Sequence, residues 1–129
     1  MPRAYDAILL ITFGGPTRRE EISPFLDVVL KGRPTPKERV EEVVHHYEAI
    51  GGASPINAIT ERQAEALRRE LDRSGSGDPS HTRVPVYVGM RNWHPTILFT
   101  LSQMMRDECE RILAVILAPH RSPVSCQLI

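Results

Sequence analysis

The side chains able to do chemistry in this 129-residue chain are few and dispersed. Five are histidines: His45, His46, His81, His94 and His120. His45 and His46 are neighbours in a helical pattern, so their side chains diverge by about 100° and form a poor chelating pair. No HExxH or other two-ligand spacing is present. His81 falls in a polar stretch and reads as solvated. His94 precedes Pro95 and suits a helix start as well as a ligand. His120 follows an apolar run, at what would be the carboxyl end of a strand. That is the best placement of the five for metal or proton chemistry, a loop histidine bonded to backbone being the plainer alternative. Ser54, Ser122 and Ser125 lack a G-x-S-x-G elbow. Cys109 and Cys126 lack zinc spacing, and Cys126 has no evident activating partner. Gly14-Gly15-Pro16 lacks both the G-K-S/T ending of a phosphate loop and the G-x-G-x-x-G of a dinucleotide fold. A tight strand-to-helix turn is its simpler reading. Arg91, Trp93 and Tyr47 offer a cation and flat aromatic faces. They suit a planar anionic ligand and are also ordinary at a protein surface.

The elements that must position these groups follow from hydrophobic pattern. Residues 5–13, YDAILLITF, are apolar on both faces, the signature of a strand covered on both sides. Residues 18–30 read as a helix with Ile22, Phe25, Leu26 and Val29 on one side, Ser23 as its cap and Pro24 at its first position. Thr35, Pro36 and Glu38 spell a capping box for a second helix, along which Val40, Val43, Val44, Tyr47 and Ile50 recur up to Gly51-Gly52. After the GGASP loop, residues 56–73 form a helix with Ala64, Leu67 and Leu71 inward, and residues 74–82 form a polar loop. Residues 84–89 are a second strand. Pro95 opens a helix with Ile97, Leu98, Leu101, Met104 and Met105 on one face, and residues 111–118 hold the third strand, ILAVILA. Strand, helices, strand, helix, strand predicts an α/β layer fold with a parallel sheet. The third strand would be a poorly covered edge, so residues 1–129 read as a single, unfinished domain. Ligands of such sheets sit beyond the carboxyl ends of the strands, here residues 13–16, 90–95 and 119–122.

Composition bounds the partners. Hydrophobic residues make up 41% and charged residues 25%, as in an ordinary globular chain and unlike a disordered tail or fibre. Sixteen Lys+Arg balance sixteen Asp+Glu, which leaves no basic field for nucleic acid. No apolar run approaches the ~20 residues of a membrane span, and the first residues carry no signal-peptide core. Two cysteines point to a reducing, cytoplasmic compartment.

The segments YDAILLITFGGP, HHYEAIGGASPINAITERQAEAL, VPVYVGMRNWHP and ILAVILAPHRS, in this order and spacing, resemble the N-terminal half of ferrochelatases. The blocks YEAIGGASPI and GMRNWHP are the specific ones, and the bacterial type, including enzymes acting on coproporphyrin, is the most similar. The resemblance implies a lyase of haem biosynthesis that inserts ferrous iron into a porphyrin, protoporphyrin IX or coproporphyrin III. It implies one flavodoxin-like three-layer α/β/α half of a two-domain fold, with the macrocycle in the cleft between halves. Iron and porphyrin are then substrates, with no tightly bound cofactor. The family's metal- and proton-handling histidine and glutamate are expected beyond residue 129. The positions that carry over are a porphyrin-contacting wall. Phe13 stands where some members have a tyrosine approaching the iron. His46 and Tyr47 match a porphyrin-contacting pair whose first member is often arginine. Ser54 matches a contact near a propionate, and Arg91 and Asn92 line the metal approach or the cleft. His120 is the one metal candidate in the chain. Residues 123–129, PVSCQLI, depart from the family pattern, which continues there into a helix bearing a tyrosine. Self-association or a missing C-terminal half is expected. The alternatives are a porphyrin-binding or structural half-domain without catalytic power, and a small nucleotide-binding domain.

Overall fold

Apolar side chains on both faces of a strand require cover on both sides, and β1 (Ala7–Thr12) has it. The computed structural model of the chain describes residues 5–74, 84–118 and 120. In it, Ile8 and Leu10 pack on Ala64, Leu67 and Leu71 of α3 (Ile56–Ser74). Ala7, Leu9 and Ile11 point the other way, onto Met104, Leu101 and Ile97 of α4 (Ile97–Arg106). The result is three layers, helix on sheet on helix. Before α3 come a 3₁₀ turn (Arg19–Glu21), α1 (Ile22–Val29) and α2 (Lys37–Ala49). Their apolar residues Ile22, Phe25 and Leu26 form a separate cluster with Val40, Val43, Val44 and Tyr47.

All strand pairs are parallel, and β1 lies between β2 (Val86–Met90) and β3 (Ile112–Ile116). Leu10 pairs with Val88 on one side and Val115 on the other. The order β2-β1-β3 is the one with which flavodoxin-like sheets begin. The chain leaves β1 for one neighbour by α3 and returns past it to the other by α4. The carboxyl ends of β1 and β3 are thus the point where the winding reverses. In open sheets ligands bind beyond the carboxyl ends of the strands, the rim that the loops after β1 and β2 share with this point. No helix among the described residues is long and apolar enough to cross a membrane.

Three local details differ from the sequence reading. Ser23 does not cap α1: Glu21 holds that position, and Pro24 sits in the first turn, where a missing N–H costs nothing. The capping box of α2 does not form. Pro36 takes the cap position with φ −58° and ψ 142°, and the Thr35 hydroxyl donates back to the Arg33 carbonyl. On α4, Leu98 and Met105 are 75% exposed, and the buried stripe is Ile97, Thr100, Leu101 and Met104. Thr100 fits there because its hydroxyl donates to the Val88 carbonyl at 2.8 Å. The edge position of β3 agrees with expectation: Leu113, Val115 and Ile116 keep 37–38% of their surface exposed.

The start of α4 is fixed by Thr96, whose Oγ1 accepts from the Phe99 amide at 3.1 Å. Thr96→Ala should cost about 1 kcal/mol of stability, the usual value of such a cap, read from the urea unfolding midpoint.

Candidate functional site

Three loops meet at the carboxyl end of β1, and hydrogen bonds from their backbones tie them together. The Arg91 amide donates to the Thr12 carbonyl at 2.9 Å and the Asn92 amide to the Phe13 carbonyl at 3.1 Å, so the loop after β2 continues the sheet past its end. The GGASP loop joins through the Ser54 amide, which donates to the Pro16 carbonyl at 2.8 Å. Asn57 completes the join from both sides. Its Oδ1 accepts from the Gly15 amide at 3.0 Å and its Nδ2 donates to the Gly15 carbonyl at 2.8 Å.

Such close approach needs glycine. Gly14 adopts φ +83°, and a Cβ there would lie 3.1 Å from the Cβ atoms of both Met90 and Trp93. At Gly15 a Cβ would lie only 2.7 Å from Ser54 Cβ. Gly15→Ala must therefore push the Ser54 loop off the rim. We expect it to cost about 1–3 kcal/mol, measured by urea unfolding, the range for overpacking a filled interior.

Beneath the loops lies an aromatic cluster centred on Phe25, which is 2% exposed. Phe13, Tyr47 and Trp93 each present edge-to-face contacts to it, with ring centroids at 6.3, 6.1 and 5.9 Å. Burial pushes the Tyr47 phenol above its ordinary pKa. Trp93 donates its indole Nε1–H to Glu21 Oε1 at 3.2 Å. The same oxygen accepts from the Thr17 amide at 2.8 Å and the Thr17 hydroxyl at 2.7 Å. The Thr17 hydroxyl bond, with help from the Thr17 amide, Trp93 and Arg18, holds the Glu21 carboxyl below its ordinary value against a smaller opposing effect of burial. Its contribution to stability is present above the ordinary carboxylate pKa and is lost as pH falls through the lowered one.

Phe13, Val29, Arg33, Arg91 and Asn92 line a cleft of about 120 Å³ at this rim. Arg91, one of these lining residues, buries its Nη1 with no hydrogen-bond partner among the described residues. A buried, unpaired guanidinium N–H is costly, and an anionic oxygen is the partner that relieves it most. The cleft thus combines an unused charged donor, a phenyl ring 37% exposed and a second cation.

Of the residues singled out in the sequence, Phe13, Arg91 and Asn92 come together in this cleft. Tyr47 packs behind them on Phe25. Ser54 is placed against Gly15, and its Oγ accepts from the Ile56 amide at 3.3 Å at the start of α3. His46 is exposed on α2, and neither it nor Ser54 lines the cleft. His120 is exposed past the end of β3. Among the described residues no three His, Cys, Asp or Glu side chains converge as a metal-holding group. His81, Pro119 and Ser122 lie outside the described residues. Sequence reasoning missed Arg33, Glu21 and Asn57. Arg33 had a usable signal: it lies in the Lys31-Gly32-Arg33-Pro34 turn that ends α1, the helix carrying Phe25.

The fold and rim define an α/β domain with a cleft at the carboxyl ends of parallel strands. The family model described as ferrochelatase matches residues 5–129, and the chain belongs to the ferrochelatase family. It is 46% identical over 104 residues to the coproporphyrin III ferrochelatase of Nocardia farcinica, which covers 81% of this chain and 28% of that protein. It is 41% identical over 123 residues to the coproporphyrin III ferrochelatase of Streptomyces coelicolor, covering 95% of this chain and 31% of that one. A ferrochelatase of Rhodopirellula baltica is 42% identical over 110 residues, 85% of this chain and 30% of its own length. The chain thus spans less than a third of the length of these relatives.

Proposed function

We propose that this chain is the porphyrin-binding N-terminal part of a ferrochelatase, a cytoplasmic enzyme that inserts ferrous iron into a porphyrin in haem biosynthesis. Coproporphyrin III is the porphyrin favoured by the names of its relatives. The observation that carries the reading is that Arg91, whose buried Nη1 has no partner among the described residues, lines the same cleft as the exposed Phe13. A porphyrin brings a large flat apolar face and peripheral carboxylates. The ring meets the first and the guanidinium the second, with Arg33 as a second cation at the same cleft. Asn92 supplies a neutral polar contact between them. Iron and porphyrin act as substrates, and no resident cofactor is part of the reading.

Metal insertion also displaces two pyrrole protons and needs a base. The family resemblance assigns that work, and the metal approach, to a histidine and a glutamate beyond residue 129. Phe13 takes no part in it, since a phenyl ring cannot ligate iron. The remainder of the enzyme, or a second copy, is the partner expected at the exposed face of β3. A positioned base is worth about 10²–10⁴-fold, so the 129-residue polypeptide alone should metallate at no more than background rate while still binding porphyrin.

Two readouts on the purified polypeptide test this. A saturable Soret shift with coproporphyrin III and no iron insertion above background is the expected pair. No Soret change would defeat the reading. Rapid iron insertion, lost in His120→Ala, would instead place the catalytic group within the chain at His120.

A further inference from the structure

Glu21 is absent from the cleft, yet its carboxylate ties together the two segments that flank the cleft. Its Oε1 accepts three hydrogen bonds, two from Thr17 just after the β1 turn and one from Trp93, 72 residues away in the loop after β2. Trp93 is the single tryptophan of the chain. Its ring rests edge-on against Phe25, its Cβ fills the space left by Gly14, and it follows Arg91 and Asn92 directly. Held at its Nε1 by Glu21, along its ring by Phe25 and at its Cβ by Gly14, Trp93 fixes the backbone that presents both cleft residues. The pairing with Arg18 at 3.4 Å adds little, because that side chain is 72% exposed.

We propose that Glu21 is a positioning residue for the porphyrin rim: by anchoring the Trp93 indole it holds Arg91 and Asn92 at the cleft. This role rests on the functional reading above. The chemistry asks only for an acceptor at Oε1. Glutamine retains one, whereas leucine leaves the half-buried indole N–H and the Thr17 hydroxyl without their partner.

The test uses Glu21→Leu, Glu21→Gln, Trp93→Phe and the pair Glu21→Leu/Trp93→Phe in the full chain. Trp93 emission is read without porphyrin, and affinity by Soret titration with coproporphyrin III. Glu21→Leu should shift the emission to longer wavelength and weaken binding about tenfold, the order expected for losing a charge-assisted hydrogen bond. Glu21→Gln should restore both signals to near wild type. Trp93→Phe keeps a ring against Phe25 but has no N–H. It should weaken binding to a similar extent, and adding Glu21→Leu should bring no further loss. Failure of glutamine to rescue, or a further tenfold loss in the double variant, overturns the proposal. A wild-type chain that binds no porphyrin overturns the functional reading and this role with it. A wild-type chain that binds, beside a Glu21→Leu variant that binds equally well, overturns this role alone.

Discussion

Arg91→Ala should weaken coproporphyrin III binding by about thirtyfold, or about 2 kcal/mol, the usual worth of a charge-assisted hydrogen bond made away from water. Two features put the effect above that of an ordinary surface arginine. Nη1 is already out of water and has no partner among the described residues, so a small shift of the guanidinium toward a ligand carboxylate supplies a hydrogen bond that the free chain lacks. The backbone amide of Arg91 is also fixed to the Thr12 carbonyl at 2.9 Å, which limits the freedom lost on binding. Stability should behave differently. Alanine removes an unsatisfied donor rather than a hydrogen bond, so the urea midpoint should stay level or rise slightly. Arg111→Ala is the matched control: it removes the same charge, but Arg111 precedes β3 at the opposite end of the sheet. Soret titrations of the two variants read the difference. Equal losses in both would reduce the effect to net charge and would detach Arg91 from the site.

Phe25→Ala is expected to be the most destabilising single change in the described part of the chain. The ring is 2% exposed and is the common neighbour of Phe13, Tyr47 and Trp93. Truncation removes its burial, leaves a cavity and breaks three edge-to-face contacts, so about 3–5 kcal/mol should be lost. A domain of this size has about 5–15 kcal/mol in total, so a large share of the molecules should unfold in mild urea. Binding should fall further than the folded fraction alone explains, because Phe13 and Trp93 lose the surface that orients them. Phe25→Leu keeps most of the volume and should recover most of the stability while restoring less of the binding. A loss below about 1 kcal/mol for the alanine variant would mean that the aromatic cluster collapses around the gap.

The parts of this fold legible in the sequence are those set by burial on both sides. β1 shows itself because AILLIT leaves no polar face, and the order of strands and helices then leaves little choice but a parallel sheet. Helix ends were less legible. Pro36 has a φ compatible with either the cap or the first helical turn, so the text around Thr35 supports two registers and only the packed helix selects one. On α4 the hydrophobic pattern includes the exposed Leu98 and Met105 and omits Thr100, a buried threonine whose hydroxyl donates to the Val88 carbonyl. The site divides along the same line. Phe13, Arg91 and Asn92 could be placed together because Phe13 and the Arg91-Asn92 pair directly follow strands, and adjacent parallel strands bring their carboxyl ends side by side. The joins between Gly15 and Asn57 and between Trp93 and Glu21 span 42 and 72 residues. No local pattern encodes them, since tertiary packing alone decides that they meet. Residue types alone pointed no further than a planar anion, and the proposal of a porphyrin rests on the family resemblance.

Amide chemical shifts of the isotope-labelled chain, followed while coproporphyrin III is added, locate the ligand most directly, because the ring current of the macrocycle displaces resonances of groups lying over its face. The rim proposed here predicts the largest displacements at Phe13, Gly14, Arg91, Asn92 and the Trp93 indole N–H, with α3 unaffected along its length beyond its first turn. Displacements concentrated instead on the exposed residues of β3 or on Leu98 and Met105 of α4, with the β1 and β2 loops unmoved, would contradict the account.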